Sequence, residues 1–343
     1  MLTHKLKEIF IHFGIWKTAT SSIQTTLYQE SNNIYNTTGL LYPQCWFNSH
    51  LPYLNSLCIE NPENFESNKL HGRSSKDILK FNKDSEIQIV NEINQKKPQG
   101  LILSSEGLHL LTLEDWGRLI KILKKWSNNE NCKINLIGYL RHPIKHSISS
   151  FQQRYKTGTP QKTINETLYK YKNFLPNLLY NPLVDEIRVY DFDKIISKKE
   201  NIIKHFFKKL NLPFKDIENR ILNESITLEC SEILSYINEK CPFFIKESKN
   251  INRYFGDLEP LYKIKGQKFS ISKKKAKKIW DLNKEFFKKV EEDFGIIYKY
   301  YEINDISPKW TKEVLKSIEE QIPLLNPYIQ KHTIKFIKKK NWI

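Results

Sequence analysis

The chain has 343 residues and a mass of 40.9 kDa, the size of one large α/β domain or two ordinary domains. Its hydrophobic fraction of 39% excludes an intrinsically disordered chain, and no apolar run approaches the ~20 residues of a membrane-spanning helix. The basic N-terminus is followed by no small-residue cleavage site, so we expect a soluble cytoplasmic protein.

The formal net charge of +17 has two explanations. A polyanionic partner is one, since a basic surface attracts anions. Biased codon usage is the other, because Lys, Asn and Ile are abundant while Ala19 and Ala276 are the sole alanines. The five cysteines include no CxxC pair, which favours neither a disulfide framework nor a zinc site. The charge is compatible with an anionic nucleotide or polysaccharide, and a nucleic-acid partner is not expected.

Apolar strand-like runs alternate with helical patterns through the first half of the chain. This order predicts a P-loop-like α/β fold, with a central, mostly parallel sheet flanked by helices. Strands are predicted at 8–14, 39–43, 100–106, 133–140 and 186–192. Helices are predicted at 20–31, 75–96, 112–126 (with Thr112 as N-cap), 143–156 and 193–210.

The remainder of the chain is predicted to be helical. Residues 157–185 interrupt the alternation and are interpreted as an insert over one end of the sheet. We predict a single α/β domain over 1–300 and a helical C-terminal extension over 301–343. The basic amphipathic stretch 333–343 is typical of a docked helix, and also of a peripheral contact with a membrane surface.

The loop after the first strand carries the strongest signal. A strand ends at Gly14, Lys17 follows, and hydroxyl residues open a helix: Thr18, Thr20, Ser21 and Ser22. Backbone N–H groups at a helix start, together with hydroxyls and a lysine, form an anion-binding cradle. The spacing differs from the nucleotide-hydrolase pattern G-x-x-x-x-G-K-[ST]. An ordinary capped strand–loop–helix is the alternative.

A second signal lies in the stretch 136–158. Arg141 directly follows a predicted strand, so its guanidinium is expected at the sheet edge where the first loop lies. Arginine has a planar fork suited to phosphate, and Ser149, two turns into the next helix, can add a hydroxyl donor. Taken singly, either residue is compatible with an ordinary surface role.

Together, the segments Lys17-Thr18-Ala19-Thr20-Ser21 and Arg141-x-Pro143…Ser149 resemble the sulfotransferases that use 3′-phosphoadenosine-5′-phosphosulfate (PAPS). The chain is similar to the bacterial branch that modifies cell-surface carbohydrate, such as polysaccharide or lipopolysaccharide. The resemblance covers roughly 8–225, where 223–227 matches an N-x-S segment. Ala19 replaces the usual glycine of the loop, and a left-handed backbone there would cost about 1 kcal/mol or more.

The resemblance implies roles for these residues. Residues 18–22 and the loop amides would hold the 5′-phosphate of PAPS, and Arg141 with Ser149 the 3′-phosphate of PAPS and of its product PAP (3′-phosphoadenosine-5′-phosphate). Lys17 would stabilise charge on the leaving phosphate. No metal is expected. A carbohydrate hydroxyl or amine is the expected acceptor, and the insert 157–185 would select it. Glu106 or His50, or both, would act as general base.

Two other functions remain open at this point. A kinase or another nucleotide-dependent transferase would use the same phosphate loop, but this class predicts a lysine in a G-K-[ST] motif and an acidic ligand for magnesium. A non-enzymatic polyanion-binding protein is expected to have basic residues interleaved with aromatic residues on one face. The lysine clusters at 273–278 and 338–340 lie far along the chain from both motifs.

Overall fold

The computed structural model describes residues 4–159, 161–214, 225–245, 248–254 and 256–339. Its elements begin with β1 (Glu8–Gly14), α1 (Thr20–Gln29), α2 (Ser31–Thr38), β2 (Leu40–Leu41), α3 (Leu51–Cys58), α4 (Glu66–Leu70), α5 (Ser75–Lys96), β3 (Gly100–Ser105), α6 (Leu113–Ser127), β4 (Lys133–Leu140) and α7 (Pro143–Lys156). They continue with α8 (Gln161–Glu166), α9 (Tyr171–Phe174), α10 (Pro176–Leu179), β5 (Glu186–Asp191), α11 (Phe192–Ser197), α12 (Ile202–Lys209) and α13 (Leu228–Lys240). The last are β6 (Phe244–Ile245), β7 (Ser248–Lys249), α14 (Lys273–Asp281), α15 (Lys284–Phe294), α16 (Lys312–Gln321) and α17 (Pro327–Lys339).

Strands β1 to β5 form one parallel sheet in the order β2-β3-β1-β4-β5. The central strand β1 pairs with β3 on one side and with β4 on the other, so that His12 stands level with Ser104 and Ile137. Its sequence EIFIHFG is almost uniformly apolar because both faces of the strand are buried. This confirms the predicted α/β fold with a parallel central sheet.

The chain divides into two compact units. The first comprises 1–142, 171–220 and 286–297, and contains the sheet. One of its cores packs α1 and α12 against the sheet through Ile23, Leu27, Ile102, Phe206 and Phe207.

The second unit comprises 143–170, 221–285 and 298–343. It is mainly helical, and its core includes Phe151 of α7, Ile233 and Ile237 of α13, Ile279 of α14 and Ile329 of α17. The bounds of the two units differ from the predicted division of the chain at residue 300, and that division stays a prediction.

Most predicted elements are confirmed to within two residues. Thr112 caps α6 as expected, and its hydroxyl and the Asp115 carboxylate form a reciprocal capping box. The single helix predicted over 193–210 is wrong, because Lys199 adopts a left-handed φ of 56° and Asn201 caps a new helix, α12. Residues 271–294, in the part of the chain predicted to be helical, hold the two helices α14 and α15.

In the described part of the tail, Thr333, Phe336 and Ile337 of α17 are buried. This matches a docked helix, and the peripheral membrane contact stays a prediction. Among the residues that the structure describes, no helix is both long enough and apolar enough to cross a bilayer.

Candidate functional site

Three adjacent strands of the sheet end at the same edge. β1 is followed by the loop that carries Lys17, β3 by Glu106, and β4 by Arg141. In open parallel sheets, ligands bind outside the carboxyl ends of the strands, where neighbouring strands lead away in opposite directions. The two neighbours of β1 provide such a point, and the side chains that follow them meet around the loop.

The loop between β1 and α1 has an unusual backbone. Lys17 has a φ of 69°, and Ala19 has φ 62° and ψ 23°, so both are left-handed. Ala19 therefore has the left-handed backbone for which the sequence analysis expects an energetic cost, since a residue with a Cβ occupies a conformation that favours glycine. Such residues cost of order 1–3 kcal/mol each and cluster at functional sites.

The start of α1 has backbone donors available. Ala19 is the N-cap residue of α1 and supplies no side-chain acceptor. The first N–H groups of a helix have no partner inside it, so an uncapped start binds solvent or an anion. Ser21 is exposed and Ser22 is half-buried, so these predicted phosphate ligands are accessible.

Thr18 and Thr20 have another role. Both are buried, and the Thr18 hydroxyl donates to the Ile15 carbonyl at 2.7 Å. The Thr20 hydroxyl occupies the space where a Cβ of Gly14 would lie, and it hydrogen-bonds the carboxylate of Glu106. In this structure the two threonines therefore hold the loop in shape and are not exposed as phosphate ligands.

Glu106 lies beside Lys17. Burial raises the pKa of its carboxyl, while the Lys17 charge and the Thr20 hydrogen bond act in the opposite direction. The side chain is half-buried and therefore still reaches the surface of the site. A carboxylate with a raised pKa next to an ammonium group is suited to accept a proton.

Arg141 is joined directly to the loop. Its Nη1 donates to the Lys17 carbonyl at 2.8 Å, and its guanidinium lies over the Phe192 ring. Its Nε is buried, lies 3.9 Å from Asp193 Oδ1 and has no hydrogen bond among the described residues. The structure therefore brings Lys17, Glu106 and Arg141 together. The positions of the strands predict this for Lys17 and Arg141, and the resemblance implies it for Glu106.

Two predicted residues fall outside this group. Ser149 is half-buried on α7 and belongs to the second unit. The N-x-S segment begins at Asn223, which lies outside the described residues. Their predicted roles stay predictions.

His50 is fully buried at the start of α3. Its ring stacks on Tyr42, and its Nδ1 accepts the N–H of Ser104 at 3.2 Å. Burial lowers the pKa of this imidazole to about 3. The lone pair that a general base needs is already occupied by this hydrogen bond, and the catalytic roles predicted for His50 and Glu106 stay predictions.

A buried polar network lies beneath the loop. Ser104 Oγ hydrogen-bonds His12 Nδ1 at 2.8 Å and accepts from Gln24 Nε2 at 3.1 Å. Burial lowers the pKa of His12 to about 3, so the ring is neutral. His12 is therefore a packed residue of the core, and the network links β1, β3 and α1.

His109 is a further residue that the structure places beside Glu106 and that no sequence motif singles out. Its Nδ1 lies 2.6 Å from the Glu106 carbonyl, and its ring packs edge-on against Trp16 at 4.6 Å. A carbonyl only accepts, so Nδ1 carries the proton and Nε2 is the acceptor nitrogen. In the sequence, the available signal for His109 is that it follows Glu106 by three residues.

Among the described residues, no three His, Cys, Asp or Glu side chains lie close enough together to hold a metal ion. No family model and no curated protein matches the chain. Two of the solved structures that are similar to this chain share little sequence with it. A sulfotransferase from Alicyclobacillus acidocaldarius is 11% identical, with a TM-score of 0.30 over 64% of this chain and 88% of that one. A chain from the PezAT chromosomal toxin–antitoxin system of Streptococcus pneumoniae is 13% identical, with a TM-score of 0.27 over 69% of this chain and 87% of that one.

Proposed function

We propose that this chain transfers a sulfuryl group from PAPS to a hydroxyl or amine of an acceptor, with a carbohydrate as the expected acceptor class. The observation that carries the proposal is the position of Glu106 beside Lys17 at the carboxyl end of three adjacent strands. The sequence resemblance of this loop and of the Arg141 segment to PAPS-dependent sulfotransferases supports the choice of donor.

The first unit offers the 5′-phosphate two kinds of donor. These are the uncapped amides at the start of α1 and the accessible hydroxyls of Ser21 and Ser22. Arg141 is half-buried and has N–H donors beyond the one used on the Lys17 carbonyl, which would bind the 3′-phosphate.

The transfer step needs one base and one cation. The acceptor oxygen or nitrogen forms a bond to sulfur while the bond from sulfur to the phosphate oxygen breaks. The Glu106 carboxylate takes the acceptor proton, and the departing phosphate oxygen gains negative charge. The Lys17 ammonium stabilises that charge, and so binds the transition state more strongly than the ground state.

The donor is tested by thermal unfolding with PAP, with ATP plus Mg²⁺ and with heparin. At ~100 times Kd, a ligand of the native state adds roughly 2.7 kcal/mol of stability. We expect a shift with PAP that is lost in Lys17→Ala and kept in Lys7→Ala, an exposed lysine of the same unit. A shift with ATP alone would indicate phosphoryl transfer, and a shift with heparin alone a polyanion-binding protein.

The reaction is tested by following PAP release from PAPS over a panel of acceptors. We expect Glu106→Gln to abolish turnover and to keep the PAP shift, because the amide cannot take a proton. Glu114→Gln, an exposed carboxylate on α6, is the matched control and should keep both. Full turnover in Glu106→Gln would overturn the assignment of the base.

A further inference from the structure

Trp16 is an exposed aromatic residue in the loop between β1 and α1, and the transfer step proposed above does not use it. It immediately precedes Lys17, and its side chain is 39% exposed. Indole is a large side chain with an apolar body and one polar N–H group. Where it stays exposed beside a site, it offers surface to a bound molecule.

His109 joins Trp16 to the turn that carries Glu106. This 3-10 turn spans Glu106–Leu110 and directly follows β3. The His109 Nδ1 donates to the Glu106 carbonyl at 2.6 Å, and its ring packs edge-on against the indole with the ring centroids 4.6 Å apart. Burial lowers the pKa of His109 to about 4, so the ring is neutral at pH 7 and acts through packing and this hydrogen bond. The exposed indole is therefore held in one group of contacts with Glu106.

Trp16 and Arg141 lie on opposite sides of the loop. The strand order is β3-β1-β4, so the loop after β1 lies between the turn after β3 and Arg141, which follows β4. Arg141 contacts the Lys17 carbonyl, whereas Trp16 packs on His109. The proposed nucleotide site extends from the start of α1 toward Arg141, which leaves the side of Trp16 for the second substrate.

Part of the insert 157–185 packs on this same side. Phe174 of α9 lies edge-on to the His109 ring with the centroids 6.2 Å apart, and Asn177 of α10 donates from Nδ2 to the Leu111 carbonyl at 3.4 Å. These residues all belong to the first unit. The insert therefore contacts the segment that follows β3, beside the exposed indole.

We propose that Trp16 binds the acceptor, with one face of a pyranose ring packed on the exposed indole, and that His109 is a positioning residue for Trp16. The C–H groups of a pyranose form an apolar ring face, while its hydroxyls stay in water around a partly exposed side chain. A phenolic acceptor is apolar on both faces, and a single exposed indole covers one of them. The inference rests on the proposed sulfuryl transfer, to which it adds the contact residue of the acceptor.

Binding is tested by ligand-observed NMR titration of the full chain without nucleotide. The probes are the methyl β-pyranosides of glucose, galactose and N-acetylglucosamine, together with sorbitol, which has hydroxyls but no ring face, and 2-naphthol. We expect one or more of the pyranosides to bind at least about 10-fold more tightly than sorbitol, and Trp16→Ala to remove this advantage. The affinity for 2-naphthol should be the same in both proteins. Leu183→Ala, an exposed apolar position that precedes β5, is the matched control and should bind the probes as the native protein does.

Kinetics with PAPS and the pyranoside that binds most tightly separate the two roles. We expect Trp16→Ala to raise the KM of the pyranoside by about 10-fold or more, with kcat and the PAP shift retained. His109→Asn keeps an N–H group for the Glu106 carbonyl and removes the ring from Trp16, so it should also raise this KM. His109→Phe keeps the ring and removes the donor, so its KM should stay near the native value. A merely structural role of His109 would lower Tm in both variants without separating their KM values.

The proposal is overturned if the pyranosides bind no more tightly than sorbitol, or if Trp16→Ala with a native-like Tm keeps their affinity. A loss of 2-naphthol affinity in Trp16→Ala would make the site one for aromatic acceptors, and a loss of the PAP shift would place the indole on the nucleotide; either result also overturns it. A native protein that binds a pyranoside through Trp16 but shows neither a PAP shift nor turnover would refute the sulfuryl transfer and keep the saccharide contact, so the two failures are distinguishable.

Discussion

Ala19 gives a quantitative test of the loop geometry. Its φ of 62° and ψ of 23° lie in the left-handed region, which costs a residue with a Cβ roughly 1–2 kcal/mol. Glycine removes that cost but adds about 0.4–1 kcal/mol of entropy to the unfolded chain. We therefore expect Ala19→Gly to stabilise the first unit by about 0.5–1 kcal/mol, which corresponds to a rise in Tm of about 1–4 °C.

The chain supplies its own control, because its other alanine is in a helix. Ala276 is fully buried within α14, where glycine should destabilise by about 1 kcal/mol or more. Differential scanning calorimetry of both variants would show shifts of opposite sign. A decrease in Tm for Ala19→Gly, or an equal decrease in both variants, would refute the left-handed conformation at residue 19.

Three further predictions concern charge and hydrogen bonding. Because burial raises the pKa of Glu106, turnover should increase with pH as its carboxylate forms, and the increase should be absent in Glu106→Gln; a flat pH–rate profile in the native protein would contradict this. Arg141→Lys should lose the Nη1–H that donates to the Lys17 carbonyl. We expect the stability in urea unfolding to fall by about 1–2 kcal/mol and the PAP shift to become smaller, and full retention of both would refute the role. His12 and His50 are neutral when folded, with pKa values of about 3, and gain protons below pH 6.5 when unfolded, so the stability that they contribute is fully present above pH 6.5 and is lost as the pH falls toward 3. Urea unfolding should show a loss of about 1.3 kcal/mol per histidine between pH 7 and 5.5, and an unchanged stability would contradict the buried neutral state of His12 and His50.

The sheet could be predicted from the sequence because its strands are buried on both faces. Nearly continuous apolar runs such as EIFIHFG and KINLIGYL are typical of strands that are buried on both faces of a sheet. The polar residues that follow the strands mark the edge where Lys17, Glu106 and Arg141 meet. The meeting of Lys17 and Arg141 at this edge follows from the strand order, whereas the position of Glu106 is expected from the family resemblance.

The break between α11 and α12 was missed for a local reason. No Gly or Pro marks it, and the left-handed residue is Lys199. Asn201 was the available signal, since its side chain caps the second helix by accepting from the N–H groups of Ile203 and Lys204.

Within the loop, the sequence could not separate the hydroxyl residues by role. Thr18, Thr20, Ser21 and Ser22 are chemically similar, and their exposure depends on the turn that Lys17 and Ala19 make. The threonines turn inward and the serines remain accessible. Similarly, His50 has the chemistry of a base in the sequence, and only its buried contact with Ser104 shows that its lone pair is occupied.

The hydrogen-bonded order β3-β1-β4 sets the width of the site. Strands in a sheet are spaced about 4.8 Å apart, so the main chains that deliver Glu106 and Arg141 stand roughly 10 Å from each other, with the Lys17 loop midway. That separation is a property of main-chain pairing and does not depend on the long connections elsewhere in the chain. Insertions or deletions in those connections can therefore change what approaches the site while the spacing of its charged groups stays constant.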